Sequence, residues 1–230
     1  MMEDWSADWC AHCPEVARAV EMLCDAFASG GKLLTCGCGG SAADASHIAG
    51  EMVKSFEIAR PLPSVLADEV ARAIDMSGGT GPTSAAGAIG AANASGRSLA
   101  DRLQMGLACI SLAADTSVLT AIANDIGSDA VFAQQVMALG RRGDALWCIS
   151  ASGNSESVVN AAVVGRTLGM KVIGLTGCDG GVLAPGCDVA IKVPSVSTAE
   201  IQQMHVCVYH RICREVERRL MAQAWRGDVP

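Results

Sequence analysis

Aromatic residues and basic charge are both scarce in this chain of 230 residues. Phe, Trp and Tyr make up 3% of it, and 17 Lys and Arg stand against 24 Asp and Glu, which leaves a formal net charge of -7. Nucleic-acid backbones are bound by clustered Lys and Arg, and unpaired bases stack on aromatic rings. The composition therefore argues against a nucleic-acid partner.

Long hydrophobic runs are absent as well. No run approaches the roughly 20 apolar residues that cross a membrane. The N-terminal sequence MMEDWSADW is acidic, whereas a signal peptide begins with basic residues. We therefore expect a cytoplasmic protein with no membrane association.

The eleven cysteines do not have the pattern of a disulfide framework. Their number is odd, the chain is not small, and no export signal precedes them, so we expect reduced thiols. Cys10 and Cys13 have the CxxC spacing of half a zinc site. No second pair follows at zinc-ribbon spacing, and the two thiols alone do not define a metal site.

Short apolar runs alternate with helical patterns along most of the sequence. Strands that alternate with helices indicate a parallel sheet covered on both faces. The pattern predicts one domain over residues 1–230, a three-layer α/β/α sandwich of flavodoxin-like type with a five-stranded parallel sheet. The five predicted strands are LLTCG from Leu33, ACISLA from Ala108, ALWCIS from Ala145, KVIGLT from Lys171 and VAIKV from Val189.

Helices are predicted where apolar residues recur at helical spacing. A region over residues 64–106, rich in Gly, Ala and Ser around its middle, interrupts the regular pattern. We interpret it as an insertion that lies near the ligand site described below and acts as a lid over it. Its predicted helical pieces are Val65 to Ile74 and Ser98 to Met105. The other predicted helices are Glu15 to Ser29, Thr116 to Ala123, Ala130 to Leu139, Ser155 to Leu168 and Ala199 to about Leu220.

The segment from Lys32 to Glu51 indicates a ligand site, because glycines directly follow its strand. Gly39 and Gly40 allow a sharp turn and a close approach of the backbone to a ligand. Ser41 occupies the expected N-cap of the next helix, whose free N–H groups suit an anion. No Lys follows the glycines, and the spacing differs from GxGxxG, so a monophosphate is favoured over a nucleotide.

His47 and Glu51 follow on that helix at positions i and i+4. This spacing places both side chains on one face, about one turn from the anion site. The pair suits either a metal ion or proton transfer. The same pattern is also typical of ordinary α/β scaffolding with a satisfied His–Glu pair, and only a second matching site decides between these interpretations.

A second polar loop, SASGNS, follows the strand ALWCI. Ser150, Ser152 and Ser155 surround two turn residues ahead of a new helix, and hydroxyls at a helix N-terminus suit a phosphate monoester. Parallel strands place their ligands beyond their carboxyl ends. The two loops together therefore predict one phosphorylated ligand at one edge of the sheet.

The last long helix contributes three polar side chains, those of Gln202, His205 and His210. Gln202 and His210 are eight residues apart, which is about 12 Å along a helix axis. For both to meet one ligand, their side chains must lean together, the helix must begin after Gln202, or one of them must act across a subunit boundary.

The order of motifs from Lys32 to His210 resembles that of the phosphoheptose isomerases, a family of the sugar isomerase (SIS) domain superfamily. The resemblance implies an SIS fold, a homotetramer with active sites near subunit interfaces, and a sugar-phosphate substrate. The motifs that carry it are GCGGSAADASHIAGE, DTSVLTAIANDIG, VFAQQVMALGRRGD, ISASGNSESV, GMKVIGLTG and IQQMHVCVYH.

The resemblance also implies roles for particular residues. Glu51 is expected to act as the base and His210 as the acid. One zinc ion per subunit is expected on His47, Glu51, Gln202 and His210, although a zinc-bound Glu51 is not a free base throughout. The substrate-binding residues that the resemblance implies are Gly39, Gly40, Ser41, Glu51, Asn124, Asp125, Ser150, Ala151, Ser152, Ser155 and Gln202.

Two positions depart from the family pattern. Cys38 stands where the family usually has Asn, and Ala151 stands where it has Ser or Thr, so one substrate hydrogen bond in each loop is missing or is made by the backbone. The implied reaction is the aldose–ketose isomerisation of sedoheptulose 7-phosphate to an aldoheptose 7-phosphate such as D-glycero-D-manno-heptose 7-phosphate, the first step of nucleotide-activated heptose biosynthesis. Two alternatives remain open: a non-catalytic SIS-domain protein that binds phosphosugars or regulates replication initiation, and an isomerase of another phosphosugar.

Overall fold

A parallel sheet of five strands forms the centre of the computed structural model, which describes residues 9, 12–76 and 99–224. The strand order is β2-β1-β3-β4-β5, and every neighbouring pair is parallel. All five predicted strands are confirmed, with small differences at their ends. The strands are β1 (Leu33–Gly37), β2 (Cys109–Ser111), β3 (Ala145–Ile149), β4 (Lys171–Thr176) and β5 (Val189–Lys192).

Helices follow the strands in the alternation that the sequence predicts. None of the helices in the described ranges is both long and apolar enough to cross a membrane. The helices are α1 (Pro14–Ala28), α2 (Gly40–Val53), α3 (Ser64–Met76), α4 (Thr116–Asp125), α5 (Ala133–Leu139), α6 (Glu156–Thr167) and α7 (Thr198–Ala224).

Two hydrophobic clusters separate the sheet from the helices on its two faces. Successive side chains of a strand point to opposite faces, so Leu33 packs in one cluster and Leu34 in the other. The first cluster contains residues of α1, α2 and α7. The second contains residues of α5 and α6. The molecule is therefore the predicted three-layer α/β/α sandwich.

The strand order reverses direction between β1 and β3. From β1 the chain moves outward to β2, and it then returns to β3 on the other side of β1. Such a switch opens a crevice beyond the carboxyl ends of the two central strands. Gly37, the last residue of β1, pairs with Ile149, the last residue of β3, so the two polar loops begin side by side.

The structure corrects two of the predicted helices. In the segment predicted as one helix from Ala130 to Leu139, residues 128–130 form a 3₁₀ turn and α5 begins only at Ala133. The helix predicted from Ser98 to Met105 is wrong beyond residue 100, because Gln104 forms an antiparallel bridge with Pro61 and Met105 N–H donates to the Arg60 carbonyl at 2.7 Å. These contacts hold the chain extended.

Some predictions are not tested by this structure. The glycine-rich middle of the insertion, residues 77–98, lies outside the described residues, as does Cys10 of the CxxC pair. The single domain over residues 1–230 and the lid role of residues 64–106 stay predictions.

Candidate active site

The loop after β1 packs so tightly that only glycine fits at two of its positions. A Cβ at Gly37 would lie 2.5 Å from the Ser41 carbonyl oxygen, and Gly39 has a φ of +59°, a conformation that L side chains avoid. Gly39 is also the N-cap of α2. The prediction that Ser41 is the N-cap is therefore wrong. Ser41 lies inside the first turn, where it is buried.

Gln202 of α7 lies directly against this loop. A Cβ at Gly40 would lie 2.4 Å from Gln202 Nε2. The Gln202 amide therefore occupies the space that a side chain at position 40 would fill. The predicted substrate-binding residues Gly39, Gly40 and Gln202 are thus brought together at the N-terminus of α2.

The loop after β3 presents its serines as predicted. Ser150 is buried at the end of the strand and donates a hydrogen bond to Ser155 Oγ at 3.2 Å, while Ser152 Oγ accepts from Asn154 N–H at 3.2 Å. Ser155 is the N-cap of α6, but its side chain does not cap the helix. The N–H groups of the first turn therefore lack this intrahelical partner and suit an anion.

The two residues that depart from the family pattern both make contacts. Cys38 Sγ lies 3.4 Å from Ser157 Oγ on α6, which joins the β1 loop to the β3 loop. The Ala151 carbonyl accepts a hydrogen bond from Gly177 N–H at 2.9 Å. The backbone of Ala151 thus supports the loop although its side chain has no hydroxyl.

Asn124 and Asp125 are not brought to the other predicted residues by the described contacts. Both are exposed at the end of α4, where Asn124 Nδ2 donates to Asp125 Oδ1 at 2.7 Å. Their role in substrate binding stays a prediction.

His47, Glu51 and His210 form one cluster where α2 meets α7. His47 Nε2 lies 3.1 Å from Glu51 Oε1 and 3.5 Å from His210 Nε2. The two imidazole rings meet edge to face with centroids 5.0 Å apart. The base and the acid that the resemblance implies therefore share one local environment, although 163 positions separate the two histidines in the chain.

Gln202 and His210 lie at different ends of the site. Gln202 contacts the glycine loop, whereas His210 contacts His47 and packs on Phe56, with ring centroids 5.4 Å apart. α7 is continuous over both residues, so eight helical residues separate Gln202 from His210 and the two side chains do not meet within one chain. His205, between them, is fully buried, so it belongs to the core and not to the cluster.

The electrostatics of the cluster favour an ionised Glu51 carboxylate and a neutral His210 imidazole. Burial alone would raise the pKa of Glu51, but the Lys54 ammonium and His47 together hold that pKa below its usual value. Lys54 Nζ donates to Glu51 Oε2 at 2.9 Å. Burial, followed by the nearby His47, lowers the pKa of His210. Glu51 is therefore charged near neutral pH, as a general base must be.

Three residues of this site were missed by the analysis of the sequence. Lys54 lies three positions after Glu51, so helical spacing was a usable signal. Tyr209 belongs to no recognisable motif in the sequence, yet its hydroxyl lies 2.9 Å from His47 Nδ1. Phe56 lies in an irregular segment after α2, and no local signal identifies it.

The donor chemistry of the cluster suits zinc, which binds imidazole and carboxylate. His47 Nε2 lies 3.1 Å from Glu51 Oε1 and 3.5 Å from His210 Nε2, so the three side chains form one cluster of possible ligands. In this conformation, however, both Glu51 oxygens accept from His47 and Lys54. Across residues 12–76 and 99–224, no three His, Cys, Asp or Glu side chains are arranged around a common metal position.

Comparison with known proteins identifies the family of this chain. The SIS domain family matches residues 11–78 and 76–177. A phosphoheptose isomerase of Roseiflexus sp. (strain RS-1) is 39% identical over 210 residues, which cover 91% of this chain and 84% of that protein. The phosphoheptose isomerase of Thiobacillus denitrificans is also 39% identical, over 90% of this chain and 85% of its own length.

Solved structures give the same result. The phosphoheptose isomerase of Neisseria gonorrhoeae is 35% identical with a TM-score of 0.64, covering 89% of this chain and 86% of that one. The phosphoheptose isomerase of Francisella tularensis is 28% identical with a TM-score of 0.69, covering 93% and 92%. On sequence and fold together, this chain belongs to the phosphoheptose isomerase family of SIS-domain proteins.

Proposed function

We propose that this protein is an aldose–ketose isomerase that converts D-sedoheptulose 7-phosphate to D-glycero-D-manno-heptose 7-phosphate through a cis-enediol. The observation that carries the proposal is the convergence of Glu51 and His210 on His47, which lies on the helix that begins at the glycine loop of β1. Relatives that match about nine-tenths of the chain bear the name phosphoheptose isomerase. The reaction is the first step of nucleotide-activated heptose biosynthesis.

Glu51 and His210 divide the proton transfers of this reaction between them. The ionised Glu51 removes a proton from C1 of the ketose, and the same carboxyl returns it to C2 of the enediol. His210 serves the oxygens, carrying the proton of the C1 hydroxyl to O2 while the enediol forms and collapses to the aldehyde. Because its pKa lies below the usual value, the imidazole is neutral at rest and can both accept and donate a proton.

The phosphate group is placed at the N-terminus of α6 in this proposal. Ser150, Ser152 and Ser155 supply hydroxyls there, and the first turn of α6 supplies backbone N–H groups. Gly39, Gly40, Ser41 and Gln202 are assigned to the sugar hydroxyls nearer the reacting carbons. Holding the phosphate away from the chemistry orients C1 and C2 at Glu51 and supplies part of the catalysis as pre-organisation.

Zinc binding by His47, Glu51 and His210 is a second part of the proposal; Gln202, the fourth expected ligand, lies at the other end of the site against Gly40. It is supported by the donor chemistry and by the two separations at His47 Nε2. Bound zinc would act as a Lewis acid toward the carbonyl oxygen. Zinc content after dialysis, compared between wild type and His47→Ala, tests this part.

We also propose that the protein is a cytoplasmic homotetramer. Support for self-association comes from three exposed apolar side chains: Val53 at the end of α2, and Leu103 and Met105 in the segment whose backbone hydrogen-bonds to Arg60 and to the end of α2. Such side chains are typical of surfaces that are covered in an assembly. Light scattering on the purified protein measures the number of copies directly.

The decisive experiment is an assay with D-sedoheptulose 7-phosphate in D₂O. The enediol mechanism predicts an aldoheptose 7-phosphate with one deuterium at C2, which NMR detects. Binding of the sugar phosphate without turnover would support the non-catalytic alternative. Parallel assays with phosphorylated ketoses of five and six carbons show whether another sugar is the better substrate.

A further inference from the structure

The loop after β3, residues 150–155, packs directly on the loop after β4, residues 177–183. Leu183 N–H donates a hydrogen bond to the Gly153 carbonyl at 3.0 Å. Gly153 has a φ of +67°, and a Cβ there would collide with the Gly180 carbonyl oxygen. The two backbones therefore approach each other as closely as glycine allows, and the β4 loop supports the loop that carries the three serines.

The side chain of Asn154 joins the two loops. Its Oδ1 accepts a hydrogen bond from Val182 N–H at 3.1 Å, and its Nδ2 donates to the Ser152 carbonyl at 3.0 Å. A Cβ at Gly181 would lie 2.6 Å from Asn154 Oδ1, so the amide fills the space that a side chain at position 181 would take. Although Asn154 is exposed, both ends of its amide are thus bonded within the protein.

The main chain of Asn154 determines how Ser152 presents its hydroxyl. Asn154 N–H donates to Ser152 Oγ at 3.2 Å, so the hydroxyl oxygen is the acceptor in this contact. A serine hydroxyl also has one hydrogen to donate, and the contact with Asn154 does not use it. That hydrogen is available to a phosphate oxygen at the N-terminus of α6, and its direction depends on where the backbone of Asn154 lies.

We propose that Asn154 is a positioning residue for the phosphate group, which fixes the Ser152 hydroxyl by holding the β3 loop against the β4 loop. The proposal rests on the proposed function, which places the phosphate at this loop. It implies that Asn154 acts through Ser152 and not by contact with the substrate. Hydrogen bonds to charged groups are stronger than neutral ones and weaken steeply when they are misaligned, so a small shift of the loop weakens phosphate binding.

Replacement of Asn154 by Ala tests the proposal, because it removes both side-chain hydrogen bonds and keeps the backbone N–H. The probe is inorganic phosphate, whose affinity titration calorimetry measures without turnover. We expect the affinity of Asn154→Ala for phosphate to fall about tenfold, and KM for D-sedoheptulose 7-phosphate to rise by a similar factor with a smaller change in kcat. The control is Asn160→Ala, which removes an amide hydrogen bond to the Asp129 carbonyl elsewhere on α6 and should change neither quantity.

A double-mutant cycle distinguishes positioning from direct contact. If Asn154 acts through Ser152, the double variant Asn154→Ala, Ser152→Ala binds phosphate no more weakly than Ser152→Ala alone. Additive losses would show that Asn154 contacts the ligand itself, and they would overturn the proposal, as would an unchanged affinity in Asn154→Ala. A phosphate affinity that Ser152→Ala leaves unchanged also overturns it, without use of the Asn154 variant.

The outcomes also separate this proposal from the proposed function. A protein that shows the expected pattern for inorganic phosphate but converts no sugar phosphate overturns the isomerase function alone. An active isomerase with additive losses overturns the positioning role alone. Thermal unfolding of Asn154→Ala and Asn160→Ala checks the fold: if only Asn154→Ala is unfolded at the temperature of the assay, Asn154 is a structural residue and the proposal is overturned.

Discussion

The Glu217 carboxylate lies 3.4 Å from Nε of Arg60, and both side chains are buried. Glu217 also accepts backbone N–H groups from Phe56, Glu57 and Ile58 at 2.8–2.9 Å. Arg60 in turn donates to carbonyls at the end of α2, including that of Met52 at 3.0 Å. The pair therefore links α7, which carries His210, to the end of α2, which carries Glu51, and to the segment that follows α2.

Loss of the Glu217 charge should destabilise the protein strongly. Glu217→Ala leaves the buried Arg60 guanidinium without its opposite charge and three backbone N–H groups without their acceptor. We expect a loss of about 3–5 kcal/mol in the free energy of unfolding, measured by urea denaturation. Glu215→Ala is the matched control on the same helix, because Glu215 pairs only with Arg211 and Arg218 in partly exposed ion pairs. It should cost less than about 1 kcal/mol; equal losses in the two variants would contradict the role of the buried pair.

Glu51→Gln and His210→Gln should each retain the fold and lose activity. Both replacements are similar in size to the original, and each removes a group that transfers or donates a proton in the proposed reaction. We expect kcat to fall by about 10²–10⁴-fold in each variant. Glu69→Gln, at an exposed position of α3, is the control and should keep wild-type activity. Full activity in either site variant would remove the role assigned to that residue.

Gly40→Ala should weaken substrate binding without a large loss of stability. The new Cβ would lie 2.4 Å from Gln202 Nε2, so the flexible end of Gln202 must move away. We expect KM to rise several-fold and the free energy of unfolding to change by less than about 1 kcal/mol. Gly50→Ala in the same helix is the control, since a Cβ there meets nothing within 4 Å. It should leave KM unchanged and stabilise α2 by about 0.5–1 kcal/mol.

The buried His205 should make stability depend on pH. Burial lowers the pKa of His205 from 6.5 to about 4. Between these two pH values His205 binds a proton in the unfolded chain but not in the folded one. The contribution to stability is therefore complete above pH 6.5 and is lost as the pH falls toward 4, up to about 3 kcal/mol. His205→Asn removes this contribution to the pH dependence. Urea midpoints of both proteins from pH 7 to 4.5 measure it, and parallel curves would show that His205 does not titrate as expected.

The alternation of short apolar runs with helical patterns determined the sheet and the positions of both loops. Strands that are buried on both faces read as continuous apolar runs, so LLTCG, KVIGLT and the glycines and serines that follow the strands were recognisable without a structure. The pair His47 and Glu51 belongs to the same class of signal, because i and i+4 neighbours are fixed by one helix. The family resemblance extended this reasoning to His210 and Gln202.

Only the tertiary structure decided what faces these residues from elsewhere in the chain. Tyr209 meets His47 across 162 positions, and Glu217 meets the segment after α2 across about 160. Which side of α7 faces α2 depends on how the helix packs on the sheet, because packing is settled by the whole core and not by local periodicity. The same cause buried His205 and brought Gln202 against Gly40 in the loop after β1.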